Sequence, residues 1–183
     1  FSVYNAMSVI SAALLLGLPL GEICQALKTA KGVKGRVEVV PTPEGYTVLI
    51  DYAHTPDALE NVIKSMKEVS AGRVVVLFGC GGDRDKTKRP IMGEIATTLA
   101  DFTIITSDNP RTEAPADIIS DILAGVKAPK TRYKVIEDRT EAIAFAIDSH
   151  MEGDVIILAG KGHETYQIIG KTKHHMDERE IGR

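Results

Sequence analysis

Arg73-Val74-Val75-Val76-Leu77-Phe78-Gly79 is the stretch on which the fold turns. A strand with one wet face alternates apolar and polar residues. This run does not alternate, and it ends in the glycines of Gly79-Cys80-Gly81-Gly82, as expected of a strand covered on both faces inside a parallel sheet. Moving outward, Phe102–Thr106, Tyr133–Ile136 and Val155–Ala159 read as further strands. Helical stretches lie between them, from about Arg89 to Ala100, near Ala116–Ala124 and over Thr140–Ser149. On the N-terminal side, strands at Val37–Val40 and Tyr46–Asp51 flank a turn around Pro43-Glu44-Gly45, and a helix runs from Pro56 to Val69. On the C-terminal side, Tyr166–Ile169 and the turn Gly170-Lys171 suggest a closing hairpin. Strand and helix in alternation, with right-handed crossovers, predict an α/β fold with a doubly wound, mostly parallel sheet.

The first part of the chain has a different character. Ser8 to Leu27 is apolar, but Gly17-Leu18-Pro19 interrupts it and Glu22 and Gln25 follow, which argues against a membrane span. Two short helices fit instead, from about Asn5 to Leu16 and from Pro19 to about Ala30, followed by the small basic linker Lys31-Gly32-Val33-Lys34-Gly35. No basic segment precedes the apolar run and no small-residue cleavage site follows it, so a secretory signal is not expected. Because the chain opens at Phe1 inside a helical pattern, it reads as a piece of a longer protein.

Composition narrows the class of function. The chain has 183 residues, 44% hydrophobic and 26% charged, the balance of an ordinary soluble domain rather than a disordered or fibrous one. With 22 Lys and Arg against 25 Asp and Glu the formal net charge is −3, and no basic block offers a footprint for nucleic acid or an anionic membrane. Cys24 and Cys80 stand far apart in no metal-ligand spacing, which suits a reducing cytoplasmic setting and predicts packing rather than reactivity.

Ligands of open α/β sheets bind outside the carboxyl ends of the strands, and the polar motifs fall there: Asp51-Tyr52-Ala53-His54, Gly79 through Asp85, Ser107 through Arg111, and Gly160-Lys161-Gly162-His163-Glu164. The glycines at 79, 81 and 82 miss the dinucleotide fingerprint, since Arg84 stands where its third glycine belongs, so a dinucleotide oxidoreductase is disfavoured. Gly160-Lys161-Gly162 lacks the Ser or Thr that would follow in a magnesium-holding phosphate loop. Taken singly, the arginine-bearing loops have bland readings, Gly79 through Asp85 as a tight turn with a self-satisfied ion cluster and Ser107 through Arg111 as a locally bonded turn with Arg111 in solvent. Taken together, Arg84 and Arg111 offer forks for carboxylates, while Asp108, Asn109 and Glu164 offer acceptors for an ammonium, a set suited to an amino acid with more than one charged end. His54 and His163 can each serve as a general base, a phosphate contact or a structural hydrogen-bonding group. His174-His175 lacks a third ligand at suitable spacing and reads as part of a solvated hairpin.

In order along the chain, Val3-Tyr4-Asn5-Ala6, Gly35-Arg36-Val37-Glu38, Asp51 through Leu59, Gly79 through Pro90, Asp108 through Arg111, and Gly160 through Glu164 with Tyr166-Gln167 resemble the motifs of the Mur ligases. These are the ATP-dependent amino-acid-adding enzymes of peptidoglycan synthesis, and the likeness is narrower still to their meso-diaminopimelate-adding branch. The resemblance implies that residues 1–35 are the last helices of a central ATP-binding domain and that 36–183 are a C-terminal Rossmann-like domain that brings the incoming amino acid. It carries ATP contacts onto Asn5, Arg36, Asp51 and His54, and diaminopimelate contacts onto Arg84, Asp108, Asn109, Pro110, Arg111, Gly160 and Glu164. Arg84 and Arg111 would anchor carboxylates, and Asn109, Glu164 and the Gly160 carbonyl would take an ammonium. Asp108 would chiefly orient Arg111. Ser2 departs from the Asn or His usual at that place in the family.

The implied reaction is amide ligation. ATP phosphorylates the terminal carboxylate of UDP-N-acetylmuramoyl-L-alanyl-D-glutamate, and the amine of meso-diaminopimelate attacks the acyl phosphate with release of ADP and phosphate. The resemblance places the phosphate loop and the Mg2+ ligands upstream, so neither catalytic nor metal residues are assigned here and the chain alone is expected not to turn over. It also implies a cytoplasmic enzyme, monomeric when whole, serving the cell wall and hence cell shape and division. The competing class is a non-catalytic Rossmann-like module that binds an amino acid or nucleotide.

Overall fold

The apolar runs pair into one six-stranded sheet. In chain order its strands are β1 (Glu38–Val40), β2 (Tyr46–Asp51), β3 (Val74–Phe78), β4 (Phe102–Ile105), β5 (Arg132–Val135) and β6 (Asp154–Ala159). Their order across the sheet is β1-β2-β6-β3-β4-β5, with every neighbouring pair parallel except β1 with β2. The strands expected from the sequence are all present, with ends differing by a residue or two. β1 begins at Glu38 rather than Val37, because Val37 has φ +46°, outside the extended region. A separate hairpin, β7 (Tyr166–Ile169) and β8 (Thr172–His175), holds His174 and His175, both exposed.

This computed structural model describes residues 2–30, 32–42, 45–127, 129 and 131–181. Pro43 and Glu44 of the expected turn and Lys31 of the expected linker lie outside the described residues, as do the side chains of Ser2 and Val3. The chain divides into two compact units, Phe1–Val33 and Lys34–Arg183.

The first unit is the expected helical pair, α1 (Ser2–Leu15) and α2 (Leu20–Thr29), with Pro19 at the N-cap of α2 rather than inside its first turn. Its surface is unusually apolar: Leu15 and Leu16 are 89% and 82% exposed, and Tyr4, Met7 and Val9 are also exposed. No described helix is long and apolar enough to cross a membrane.

In the second unit, alternate residues of the strands feed two cores. Val74, Val76, Phe78, Ile105, Ile157 and Ala159 face α3 (Pro56–Val69), α4 (Lys88–Leu99) and α5 (Pro115–Leu123). Val75, Leu77, Ile104, Ile156 and Leu158 face α6 (Arg139–Asp148) on the other side. Helices on both faces explain why β3 and β6 carry no polar alternation. A four-residue helix, α7 (Glu178–Ile181), escaped the sequence reading; it is too short for an apolar period. Cys80 is buried in the first core, and burial pushes its thiol up to about 12, so packing is its role.

Candidate functional site

Strand register brings the loops level. Asp51 stands opposite Ala159, Leu77 opposite both Leu158 and Ile104, and Phe78 opposite Ile105, so four parallel strands release their chains at one edge. The loops after β3 and β4 then pack directly on each other. The Gly82 N–H donates to the Asn109 carbonyl at 2.9 Å, and a side chain at Gly82 would run into the Pro110 carbonyl, so only glycine fits that approach. Arg89, wholly buried, anchors the β3 loop by donating to Glu113, Asp121 and the Gly81 carbonyl. That guanidinium, with the Asp83 N–H and Lys86, holds the Glu113 carboxyl well below the usual carboxylate range.

At the centre of the loops after β4 and β6 stands Lys161, whose burial has no local sequence signal. Its side chain is fully buried, and Nζ reaches Asn109 Oδ1 at 3.1 Å, Asp108 Oδ1 at 3.3 Å and Glu164 Oε2 at 3.4 Å. An ammonium has three N–H donors, so the three acceptors satisfy it. Asn109 is fixed in turn: its Nδ2 donates to Glu164 Oε2 at 2.8 Å and its Oδ1 accepts from the Ile168 N–H at 2.9 Å. Gln167, which the resemblance quoted without a role, donates to the Asp108 carbonyl at 2.6 Å. Two carboxylates against one ammonium leave this cluster with one surplus negative charge.

Arg111 lies beside the cluster with φ +53°, a left-handed conformation uncommon for a long side chain. Its N–H and carbonyl are tied to Ile168 and Gly170 of the β7 hairpin, and Nη1 donates to the Gly82 carbonyl at 2.8 Å. Arg84 is exposed and, among the described residues, donates only to the Asp83 carbonyl, at 3.2 Å. Both side chains border Gly81: a Cβ there would lie 2.9 Å from Arg111 Nη1 and 3.6 Å from Arg84 Cγ. Among the described residues neither arginine forms an ion pair. The carboxylates flanking Arg84 are engaged elsewhere, Asp83 with Thr112 and Asp85 with Thr87.

The structure thus brings Arg84, Asp108, Asn109, Pro110, Arg111, Gly160 and Glu164 to one end of the sheet. One expected role changes. Asp108 does not orient Arg111; its carboxylate pairs with Lys161, because the Gly160 turn (φ +112°) delivers the lysine beneath the Asp108 loop. The fixed ammonium also occupies acceptors that the sequence reading reserved for a ligand amine.

The residues expected on the nucleotide side behave differently. Asp51 is buried and has both oxygens engaged, Oδ1 with the Ala53 N–H at 2.8 Å and Oδ2 with the Val37 N–H at 2.9 Å, so it fixes the chain on either side of Arg36 and His54 rather than facing outward. Arg36, His54 and His163 are exposed and gather on Tyr52: the guanidinium carbon lies 4.9 Å from the ring centroid, and the imidazole centroids 4.7 and 5.4 Å from it. Asn5 lies on α1 of the helical unit. No group of three or more His, Cys, Asp or Glu side chains suited to a metal forms among the described residues.

Comparison with known proteins gives this geometry a context. Residues 35–162 match the family model "Mur ligase, glutamate ligase domain". A UDP-N-acetylmuramoyl-L-alanyl-D-glutamate--2,6-diaminopimelate ligase of Clostridioides difficile is 53% identical over 181 residues, covering 99% of this chain and 37% of that protein. The ligase of the same name from Caldanaerobacter subterraneus subsp. tengcongensis is 55% identical with the same coverage. A solved structure bearing that ligase name superposes with a TM-score of 0.77 at 39% identity, over 98% of this chain and 37% of the other. The chain therefore spans somewhat over a third of the length of the relatives it matches.

Proposed function

The chain belongs to the Mur ligase family, and from that premise we propose that it is the amino-acid-bringing C-terminal part of an ATP-dependent ligase. That ligase joins meso-diaminopimelate to UDP-N-acetylmuramoyl-L-alanyl-D-glutamate. One observation carries the choice of amino acid: two arginines without ion pairs among the described residues, Arg84 and Arg111, border a buried Lys161 cluster with surplus negative charge. Diaminopimelate has two carboxylates and two amines, whereas lysine has no second carboxylate for an arginine to grip. The guanidinium forks take the carboxylates, and Glu164 Oε1 with the Gly160 carbonyl takes an ammonium, since Lys161 and the Ile168 N–H already occupy Asn109 Oδ1. The relatives named as diaminopimelate ligases support the same substrate.

On this reading the chain contributes positioning. It holds the amine in line with the acyl phosphate that ATP forms on the dipeptide's carboxylate, an effective-molarity effect. Arg36 and His54, presented on Tyr52, face the nucleotide phosphates, and Asp51 holds their loop. The phosphate loop and Mg2+ ligands belong to the central domain. Residues 1–35 are that domain's last helices, a reading supported by the exposed leucines of the first unit. The chain alone has no turnover, and the whole enzyme works as a monomer in the cytoplasm.

The test is phosphate release by the intact ligase with meso-diaminopimelate and with lysine. Diaminopimelate supports turnover and lysine does not. Arg111→Ala lowers kcat/KM for diaminopimelate by the equivalent of roughly 2–5 kcal/mol, the cost of truncating one side of a buried charged contact. Equal use of lysine, or unchanged diaminopimelate kinetics in Arg111→Ala, overturns the assignment. Binding of diaminopimelate with no phosphate release by the intact protein returns the non-catalytic module.

A further inference from the structure

Behind the sheet edge lies a second buried arginine with no part in the proposed function. Arg139 opens α6 immediately after its N-cap Asp138 and is 1% exposed. Its Nε and Nη2 meet Glu178 Oε1 at 2.8 and 2.7 Å, Nη2 also donates to the Ala159 carbonyl at 2.9 Å, and Nη1 points to the Ser107 carbonyl at 3.4 Å. Those two carbonyls are not arbitrary. Ala159 is followed by Gly160-Lys161, and Ser107 by Asp108-Asn109, the two halves of the Lys161 cluster.

The strands that end there, β4 and β6, are not neighbours, since β3 lies between them. No ladder hydrogen bond can set the distance between their ends. The Arg139 fork spans β3 from the α6 side and touches both. Burying such a pair is a poor route to stability alone, because desolvation offsets the attraction and apolar residues of similar volume do as well. Glu178 Oε2 moreover finds no hydrogen-bond partner among the described residues. The neighbouring Arg179 holds the same loop one step further on, donating to the Gly162 carbonyl at 3.0 Å while paired with Glu38.

We infer that Arg139 is a positioning residue for the amino-acid site, setting the separation of the Asp108 and Lys161 loops through the Ser107 and Ala159 carbonyls, with Glu178 of α7 as its counter-charge. The inference rests on the function proposed above and adds to it a requirement for the C-terminal segment in substrate affinity. Loss of the fork leaves the cluster's residues present but misplaced, and displacements of about an ångström cost on the order of 10²-fold in reactions that depend on alignment.

The experiment is steady-state kinetics of the intact ligase, with thermal unfolding measured in parallel. Removing both charges at once, as Arg139→Met with Glu178→Leu, avoids an unpaired buried ion. This double variant unfolds near the wild-type temperature yet shows a KM for diaminopimelate raised about tenfold or more, with the KM for ATP unchanged. Arg139→Lys keeps the charge but cannot span both carbonyls, and gives a rise in the same KM without the double replacement. A wild-type diaminopimelate KM in either folded variant, or equal rises for all substrates, overturns the positioning role. A wild-type enzyme that ignores diaminopimelate overturns the proposed function instead, so the two failures are distinguishable.

Discussion

The two ends of the loop row are built on opposite plans. Around Lys161 every polar group is held by at least one other: the ammonium by three acceptors, Asn109 by three partners, the Asp108 backbone by Gln167. Around Tyr52 the working side chains, Arg36, His54 and His163, are exposed and rest on one aromatic ring. The first arrangement suits a small charged molecule whose groups must meet fixed positions, as the proposed function requires. The second suits a long flexible substituent such as a phosphate chain, where the partner supplies the order. The density of side-chain hydrogen bonds thus differs between two ends of one row of loops.

Three substitutions press on this contrast. The largest effect is expected from Lys161→Met, which leaves Asp108 and Glu164 facing each other without a cation; breaking a buried pair from one side costs about 3 kcal/mol or more. Denaturant unfolding of the 183-residue chain measures it, and a loss under 1 kcal/mol would dissolve the distinction between the two ends. Asp51→Ala comes next, at about 2 kcal/mol, since two backbone N–H groups lose a charged acceptor; the same unfolding experiment serves, and a neutral result would mean that the outer loop is not held from below. Tyr52→Ala is expected to cost the least, about 1 kcal/mol, as an exposed cation–π contact contributes little. Its effect should show chiefly as a raised KM for ATP in the intact ligase, and a stability loss matching that of Lys161→Met would break the comparison.

How much of this was legible in the sequence depended on which residues signal locally. The β3 run announced a buried parallel strand, and the helix from Pro56 to Val69 declared its start, with Thr55 capping it through the Ala58 N–H and Pro56 in its first turn. The site loops were visible because glycines and paired charges cluster after strands. Lys161 was not, because lysine is ordinarily a surface residue and only the partners brought from positions 108, 109 and 164 make its burial tolerable. Arg139 and Glu178, 39 residues apart, were invisible for the same reason: each reads as surface charge until the sheet order is known. That order itself has no local signal. Alternation of strand and helix says that the sheet is parallel, not that its last strand lies between β2 and β3.

This last feature bears on how the chain comes into being. β6 is the last strand of the main sheet to be synthesised, yet β2 and β3 meet only through it. Until Asp154–Ala159 has left the ribosome, the chain can form a two-stranded ribbon and a separate three-stranded half-sheet, each with an apolar edge unpaired. Contact order is therefore high at the very centre of the fold, and folding must wait for nearly the full length. A nascent chain stalled ahead of residue 154 would present two unpaired apolar edges to its neighbours.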